Sequence, residues 1–359
     1  MAKLKVGVIG AGSISEVHLH AYSIHPEVEL AAISDLNESR AREKADRYGV
    51  AKVFTDYKDL LEDPEIEAVS ICTWNNSHAE IAVQALDAGK HVLCEKPLSQ
   101  TVEQALLVER AVKRSGKLLL VGFVRRYSDQ VKLLKKYTDA GALGDIYYAK
   151  ASILRRLGNP GGWFSDAERS GGGPLIDLGV HMIDVCWYLM GRPKVKSVSG
   201  NTYKQLGNRS HIEGLDFYKA ADYAADGRND VEDLANALIR FENGASLFVD
   251  VSFTIHAAQN ESSSKIYGTR GGAEIEPELV IVSEQFNTIV NIEPQIDHRT
   301  FQFQGSFNNE ISHFVDCCQG NAQPISPVED GVELMRILNA VYESAATGKE
   351  IVLFGEERR

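Results

Sequence analysis

Short apolar runs alternate with amphipathic segments along the first third of the chain. The runs KVGVIG, VELAAIS, IEAVSIC, HVLC and KLLLV are almost continuously apolar, and KVFT is predicted to be a further short strand. The segments between them repeat apolar residues at helical spacing, as Val17, Ala21 and Ile24 do. Apolar strands that alternate with helices are typical of a parallel sheet covered on both faces. The first third is therefore predicted to form a doubly wound α/β domain.

The pattern changes after about residue 122. IYYAKASIL, NALIRFE, ASLFVDVSF, SSKIYG and the stretch 278–303 contain runs in which apolar and polar positions alternate, as in antiparallel strands with one covered face. Residues 204–230 are predicted to be a long loop, and NEISHFVDCCQG and EDGVELMRILNAVYESAATGK to be helices. We therefore expect a parallel-sheet domain in 1–122. An α+β domain with a large, open, mostly antiparallel sheet is expected in 123–359, and its C-terminal helix could pack back on the first domain.

Composition narrows the class of protein. At 359 residues the chain is long for one core, and 44% hydrophobic and 25% charged residues are ordinary for a globular protein. The net charge of -12, without a basic cluster, excludes a nucleic-acid surface. No apolar run approaches the ~20 residues that span a bilayer, and the N-terminus does not read as a signal peptide. The expectation is a cytoplasmic protein without membrane or nucleic-acid partners.

The five cysteines show no CxxC motif and no zinc-ligand spacing. Most of them stand among apolar residues. Buried free thiols are therefore expected, and no metal site is predicted.

A glycine-rich turn follows the first predicted strand. In GAGSIS the first glycine, Gly10, suits a tight turn and Gly12 lets a pyrophosphate approach the backbone, while Ser15 stands where the motif has a third glycine. An ordinary strand-to-helix turn would also explain the motif alone. Asp35 lies at the end of the next strand, ~20 residues after the glycine motif, which strengthens the prediction of a Rossmann dinucleotide site. The contacts predicted here are Gly10, Gly12, Ser13, Ile14 and Asp35.

Asp35 also bears on the choice of cofactor. Its carboxylate is expected to accept hydrogen bonds from the adenosine ribose and to repel a 2′-phosphate, which favours NAD over NADP. Arg40 could weaken that preference. An exposed arginine on a helix is the alternative explanation for Arg40.

Three segments follow predicted strands and should lie at the carboxyl edge of the sheet, where such sheets bind ligands: 73–78, 95–97 and 122–127. With GAGSI, EKP, GFVRRY, SGGGPLIDLGVHMID and IYGTRGG in order, the chain resembles the glucose-fructose oxidoreductase and inositol dehydrogenase family, Gfo/Idh/MocA. These motifs cover both predicted domains. One departure is Trp74, where the family usually carries proline.

The resemblance implies a second set of cofactor contacts. These are Thr73, Trp74, Asn75, His78, Glu95, Lys96 and Arg126. A structural place in the first turn of a helix is an equal alternative for His78, and a salt bridge is an equal alternative for Arg126. The resemblance also implies that the Lys96-Pro97 bond is cis.

An acid-base set follows the glycines of SGGGP. Asp177, His181 and Asp184 recur at i, i+4 and i+7, which places them on one face of a helix. Such a pair alone is more often a surface salt bridge than a catalytic pair. The resemblance implies that Lys96, Asp177 and His181 are catalytic. In carbinol oxidation His181 would take the hydroxyl proton, Asp177 would orient its ring and Lys96 would stabilise alkoxide character, although the residues leave open how Lys96 and His181 divide the proton work.

The expected function is NAD-dependent hydride transfer between the cofactor and a secondary alcohol or ketone of a sugar or cyclic polyol. The candidate substrate contacts are Lys96, Arg126, Asn159, Trp163, Asp177 and His181. Two alternatives are a non-catalytic regulator that binds NAD(P) and an NAD-dependent glycosidase. Because the open face of the family's second domain commonly makes subunit contacts, the resemblance also implies a homo-oligomer, either a dimer or a tetramer.

Overall fold

The computed structural model describes residues 3–353, which form two compact units. The first unit comprises the described residues up to Val124 together with Phe303–Met335. The second comprises Arg125–Gln302 and the described residues from Arg336 onward. The first change of unit lies within two residues of the domain boundary expected at 122/123. Boundaries after 302 and 335 were not predicted, and the one related expectation was that the C-terminal helix could pack back on the first domain.

The first unit begins with a regular alternation of strands and helices. Its elements are β1 (Leu4–Ile9), α1 (Ser15–Ile24), β2 (Val28–Ser34), α2 (Glu38–Tyr48), β3 (Lys52–Phe54), α3 (Tyr57–Glu62), β4 (Ala68–Ile71), α4 (His78–Asp87), β5 (His91–Glu95), α5 (Val102–Ser115) and β6 (Leu119–Gly122). The sequence predicted these elements except α3. That helix has only six residues, too few to show a helical repeat.

The strands of the first unit form one parallel sheet in the order β3-β2-β1-β4-β5-β6. The order reverses between β1 and β4, so the carboxyl ends of these neighbours open a crevice where such sheets bind ligands. Ile9 pairs with Ile71, and Ile71 pairs with Cys94. The loops after β1, β4 and β5 therefore start side by side. This arrangement confirms the predicted doubly wound sheet.

Local sequence explains where helix α2 begins and ends. The Asn37 side chain accepts a hydrogen bond from the Arg40 backbone N–H, which satisfies one free donor of the first turn. Gly49 ends the helix with a φ of 69°, in the left-handed region that glycine adopts without strain. The second strand and this helix consequently hold Asp35 at a fixed strand end.

The second unit is built on a nine-stranded sheet. Its elements are α6 (Asp129–Asp139), β7 (Ile146–Leu154), α7 (Ala167–Ser170), α8 (Val180–Leu189), β8 (Val195–Tyr203), β9 (Leu234–Phe241), β10 (Ser246–Ser252), β11 (Glu261–Gly268), β12 (Gly271–Glu276), β13 (Val280–Gln285) and β14 (Thr288–Ile292). Helices α6 and α7 and the strands β8 and β12 were not predicted. Strand β8, VKSVSGNTY, is too polar to show a clear alternation.

The strand order in this sheet is β14-β13-β12-β11-β7-β10-β9-β8-β15, where β15 is Ile351–Val352. Neighbouring strands are antiparallel except β7 and β10. Leu247, Val249 and Val251 of β10 are buried, whereas the alternate residues Phe248 and Asp250 are half-buried. Helix α8 contacts β7, β10 and β11. One face is thus covered and the other open, which confirms the predicted mostly antiparallel sheet.

Two long helices complete the chain, α9 (Phe303–Cys318) and α10 (Val328–Thr347). Helix α9 begins six residues before the predicted segment and packs against α1 in the first unit. Helix α10 belongs to the first unit up to Met335 and to the second from Arg336. The expected long loop contains no helix or strand between residues 204 and 230. Within residues 3–353, a helix long and apolar enough to cross a membrane is absent.

Candidate active site

The glycine turn after β1 has the geometry of a dinucleotide-binding loop. Gly10 has a φ of 95°, and a Cβ there would lie 2.6 Å from the carbonyl oxygen of Cys72. Only glycine therefore allows β1 and β4 to approach at this point. Gly12 has open space where a Cβ would point, so its backbone is accessible to a ligand. Ser15 is fully buried and its hydroxyl donates to the Gly12 carbonyl at 2.7 Å, which explains why a small residue suffices there.

Asp35 ties the second strand to the glycine turn. Its Oδ2 accepts from the Ala11 backbone N–H at 2.6 Å, and its Oδ1 accepts from the Asn37 backbone N–H at 2.7 Å. Oδ1 also accepts from Nη2 of Arg40 at 2.8 Å. Arg40 is consequently more than an exposed helix residue, because it neutralises the carboxylate that the sequence assigns to the ribose. Leu36, the next residue, is 86% exposed and offers an apolar surface beside that carboxylate.

The loop after β4 carries the predicted contacts Thr73, Trp74, Asn75 and His78. Trp74 is 41% exposed and its side chain is accessible, whereas Asn75 is buried. His78 is buried as well, and its ring nitrogens lie 2.7 Å from the Pro97 carbonyl oxygen and 3.2 Å from the Thr73 carbonyl oxygen. Burial lowers the pKa of His78, and a neutral ring donates only one of these two bonds. The geometry favours the structural alternative, in which His78 ties the loops after β4 and β5 together.

The Glu95-Lys96-Pro97 segment ends strand β5 at the same edge. Glu95 is buried, while Lys96 is half-buried. The peptide bond between Lys96 and Pro97 is cis, which confirms that expectation. Cys94, two residues before the lysine, is fully buried, and burial raises the pKa of its thiol well above the usual range. A thiolate nucleophile at Cys94 is therefore disfavoured.

In the second unit, Asp177 lies on a single π-helical turn, Leu175–Gly179, that runs directly into α8. Asp177 and His181 are both half-buried, so parts of both side chains reach solvent. Asp184, which the i, i+7 spacing placed on the same face, is buried. The π turn contains an extra residue per turn and shifts the helical phase, and such turns are frequent at functional sites.

The π turn is held by a residue that the sequence did not reveal. Glu232 is buried, and its carboxylate accepts from the backbone N–H of Gly173 at 2.9 Å and of Leu175 at 3.1 Å. The Tyr342 hydroxyl donates to the same carboxylate at 2.9 Å. Burial raises the pKa of Glu232, while these hydrogen bonds lower it. Glu232 and Tyr342 together form a clamp on the π turn. A Cβ on Gly172 would lie 2.0 Å from the Tyr342 hydroxyl, so glycine at this position makes room for the clamp.

Arg126 does not offer a free surface to a ligand. Both Arg126 and Asp184 are buried, and Nη2 of the arginine donates to the carboxylate at 2.6 Å and Nε at 3.1 Å. The Arg126 guanidinium also lies 4.6 Å from the centre of the Tyr188 ring. These contacts favour the salt-bridge alternative over the predicted cofactor or substrate contact.

The two remaining substrate candidates differ from each other. Asn159 is buried, and its Oδ1 accepts from the Gly161 backbone N–H at 2.9 Å and from the Ser165 hydroxyl at 2.8 Å. It shapes its own loop, which argues against a substrate contact. Trp163 is half-buried beside Phe164, with ring centres 4.0 Å apart. Only Trp163 of this pair keeps accessible surface for a ligand.

Family models match nearly the whole chain. One, described as an oxidoreductase family with an NAD-binding Rossmann fold, Gfo/Idh/MocA, matches residues 4–123, and the model of the family's C-terminal alpha/beta domain matches residues 135–353. The chain belongs to the Gfo/Idh/MocA family of oxidoreductases. These matches confirm the family resemblance, the fold class and the NAD cofactor that the sequence predicted.

Individual Gfo/Idh/MocA relatives align over almost their full length. D-glucoside 3-dehydrogenase of Escherichia coli strain K12 is 33% identical over 355 residues, 98% of this chain and 97% of that protein. Myo-inositol 2-dehydrogenase of Thermotoga maritima is 27% identical over 358 residues, 98% of each chain. A solved structure of levoglucosan dehydrogenase in complex with NADH and levoglucosan superposes with a TM-score of 0.84 at 27% identity, covering 98% of this chain and 100% of that chain.

The residues at the carboxyl edge of the parallel sheet, called here the dinucleotide edge, fit NAD. The open space above Gly12 admits a pyrophosphate, and the Asp35 carboxylate is an acceptor for ribose hydroxyls. The exposed Leu36 side chain can cover an adenine face. Among the described residues, no cluster of three or more His, Cys, Asp or Glu side chains could hold a metal ion.

Proposed function

We propose that this protein oxidises a secondary alcohol of a sugar or cyclic polyol, or reduces the corresponding ketone, with NAD as the hydride carrier. The observation that carries the proposal is the place of Lys96, a half-buried cation at the carboxyl end of a core strand in an NAD-binding sheet. A cation there stabilises the negative charge that develops on the substrate oxygen. A regulator that only binds NAD would have no use for such a group together with an acid-base pair.

The proton chemistry is assigned to Lys96, Asp177 and His181. Gly10, Gly12 and Asp35 would hold NAD, which would supply a hydride acceptor for the carbinol carbon or a hydride donor in the reverse direction. His181 takes the hydroxyl proton as general base, since an imidazole exchanges protons near neutral pH. Asp177 orients the ring, and Glu232 holds the π turn on which Asp177 stands. Lys96 supplies positive charge to the substrate oxygen and shares the proton transfer.

A sugar or cyclic polyol is the substrate class that these side chains suit best. Trp163 presents part of an aromatic surface, and such surfaces cover the apolar face of a sugar ring. The relatives named above act, by their names, on a glucoside, an inositol and levoglucosan, which share a six-membered ring with several hydroxyl groups. The proposal for this chain follows that common feature and leaves the individual compound to experiment.

The open face of the nine-stranded sheet is proposed to form the contact of a homo-oligomer. The face presents accessible aromatic side chains among charged ones, which include Lys150, Asp250, Lys265 and Glu274. Tyr148 of β7 stacks on Tyr267 of β11 with ring centres 5.5 Å apart, and Phe248 lies on the neighbouring strand β10. We propose a dimer or tetramer that works in the cytoplasm, where NAD is available.

The test is a substrate panel. Methyl glucosides, free sugars, inositols and levoglucosan are each incubated with the protein and NAD or NADP, and NAD(P)H absorbance is followed at 340 nm. Turnover of at least one compound is expected, faster with NAD. Tight NAD binding with flat traces throughout would contradict the proposal. Cleavage of a glycoside without net NADH would instead identify the glycosidase alternative, and absence of all turnover would favour the regulator.

A further inference from the structure

A buried polar chain runs behind the dinucleotide edge of the first unit. His18 of α1 is fully buried, and its Nε2 lies 2.8 Å from Oε1 of Glu95 in β5. Its Nδ1 lies 3.3 Å from the hydroxyl of Ser70 in β4, which in turn lies 2.7 Å from the Tyr22 hydroxyl. The chain thus joins the helix that follows the glycine turn to the strand that ends at Glu95, next to Lys96.

Glu95 is the point at which this chain reaches the proposed reacting group. The Lys96 backbone N–H donates to Oε2 of Glu95 at 3.3 Å, while Oε1 faces His18. The fold leaves room for the carboxylate, because a Cβ on Gly122 would lie 3.3 Å from both Cα and Oε1 of Glu95. The two carboxylate oxygens of Glu95 therefore contact different groups: Oε1 contacts His18 of helix α1, and Oε2 contacts the backbone N–H of Lys96.

The charges around His18 support an ion pair with Glu95. Burial lowers the pKa of His18, but contacts with the Cys72 sulfur and the Glu95 carboxylate outweigh it and raise the pKa to about 10. Burial raises the pKa of Cys72, while the neighbouring His18 ring lowers it. Titratable groups on the elements packed around the ring include Tyr22 of α1, Cys94 of β5 and Glu310 of α9.

Stability alone is a poor reason for such an arrangement. The attraction within a buried ion pair offsets little more than the free energy needed to remove both charges from water. Apolar residues of similar volume often stabilise a core equally well. The neighbouring positions Val8 and Leu93 are apolar and fully buried, as expected for the interior of this sheet. A polar chain inside an otherwise apolar core therefore points to a purpose at the strand end that it supports.

We propose that His18 is a positioning residue for Lys96: its ring fixes the Glu95 carboxylate, which fixes the backbone on which the lysine stands. The inference rests on the proposed function insofar as it takes Lys96 to be the reacting cation. A lysine displaced by about 1 Å would lose much of its effect on the substrate oxygen, since such displacements can cost about 10²-fold in rate. Through α1, the same chain connects the dinucleotide-binding turn to the proton chemistry.

The test compares His18→Leu, which removes both ring nitrogens, with His18→Gln, which keeps an N–H donor directed at Glu95. Tyr22→Phe is the matched control, because it removes a hydroxyl at the other end of the same chain. Turnover of a panel substrate, NAD affinity, thermal unfolding and hydrogen exchange of the Lys96 amide are measured for each. For His18→Leu we expect kcat to fall about 10- to 100-fold with NAD affinity within threefold, and faster exchange at Lys96. For His18→Gln both effects should be smaller.

Tyr22→Phe should lower the unfolding temperature while leaving kcat and Lys96 exchange unchanged. If His18→Leu behaves like Tyr22→Phe, the inference is wrong and His18 is merely structural. Should His18→Leu fail to fold, Glu95→Gln replaces it with the same expected pattern and the same overturning result. Amide exchange does not depend on turnover, so it tests the inference even if the panel shows that the proposed function is wrong.

Discussion

Arg126 and Asp184 form a buried ion pair in the second unit, with Nη2 of the arginine 2.6 Å from Oδ1 of the aspartate. The sequence predicted that Arg126 contacts a ligand. It also placed Asp184 on one helical face with Asp177 and His181. Their mutual contact favours a structural role for both residues.

The first prediction concerns this pair. Asp184→Ala should lower the free energy of unfolding by about 3–5 kcal/mol, because a buried guanidinium loses its carboxylate. Urea denaturation at pH 7 measures the change. Glu43→Ala is the control, since Glu43 pairs with Arg47 on the surface and such a pair contributes at most about 1 kcal/mol. Equal losses in the two variants would show that Arg126 keeps adequate partners without Asp184.

The second prediction concerns Lys96. Lys96→Met should abolish turnover of any compound that the wild type oxidises, while NAD affinity stays within several-fold. The replaced group acts on the substrate oxygen, and the dinucleotide is held mainly by the glycine turn and Asp35. Isothermal titration with NAD and the 340 nm assay provide the two readings. Lys113→Met, on the exposed face of α5, should change neither. Loss of folding in Lys96→Met would instead mark the lysine as structural.

The third prediction concerns the choice of cofactor. Asp35→Ala should weaken NAD about 10- to 100-fold, the loss expected for hydrogen bonds to a charged acceptor. It should weaken NADP far less, because the change also frees Arg40 from its carboxylate. Ratios of kcat/KM for the two cofactors measure the effect. The double variant Asp35→Ala with Arg40→Ala should lose whatever NADP activity the single variant gains. Equal weakening of both cofactors by Asp35→Ala would overturn the assignment of Asp35.

The fourth prediction concerns the clamp on the π turn. Glu232→Gln replaces one of two acceptor oxygens with an amide donor that faces a backbone N–H, so the turn that carries Asp177 should shift. We expect a lower kcat together with a lower unfolding temperature. Tyr342→Phe removes one hydrogen bond and leaves both backbone contacts, so its cost should be about 1 kcal/mol with kcat nearly unchanged. An unchanged kcat in folded Glu232→Gln would show that the clamp serves stability only.

The fifth prediction concerns alkaline pH. The pKa of His18 is raised in the folded protein to about 10, above the value of about 6.5 expected in the unfolded chain. The folded state therefore binds a proton more tightly, and its stabilisation is complete below about pH 6.5 and is lost as pH rises through about 10. Unfolding temperatures of the wild type and of His18→Gln should converge over this range. A difference that stays constant from pH 6 to pH 10 would contradict a charged His18.

Much of the first unit is determined by local sequence. Gly10, Gly12 and Asp35 were recognisable because a tight turn, an accessible backbone and a carboxylate at a strand end depend on residues close together in the chain. The apolar strands and the period of the helices are likewise local. The ordered motifs also identified Lys96, Asp177 and His181 as candidates, and their roles remain proposals.

Tertiary structure decided which polar residues have protein partners. His18 and Glu95 are 77 residues apart, Arg126 and Asp184 are 58 apart, and Glu232 and Tyr342 are 110 apart. No repeat or motif joins such pairs, because burial depends on how strands are ordered and where helices return. The sequence by itself determined the fold class, the NAD-binding turn and the candidate chemistry. Only the fold decided that Arg126, Asn159 and His78 have buried structural contacts. It also decided that His18 contacts Glu95, the residue before Lys96.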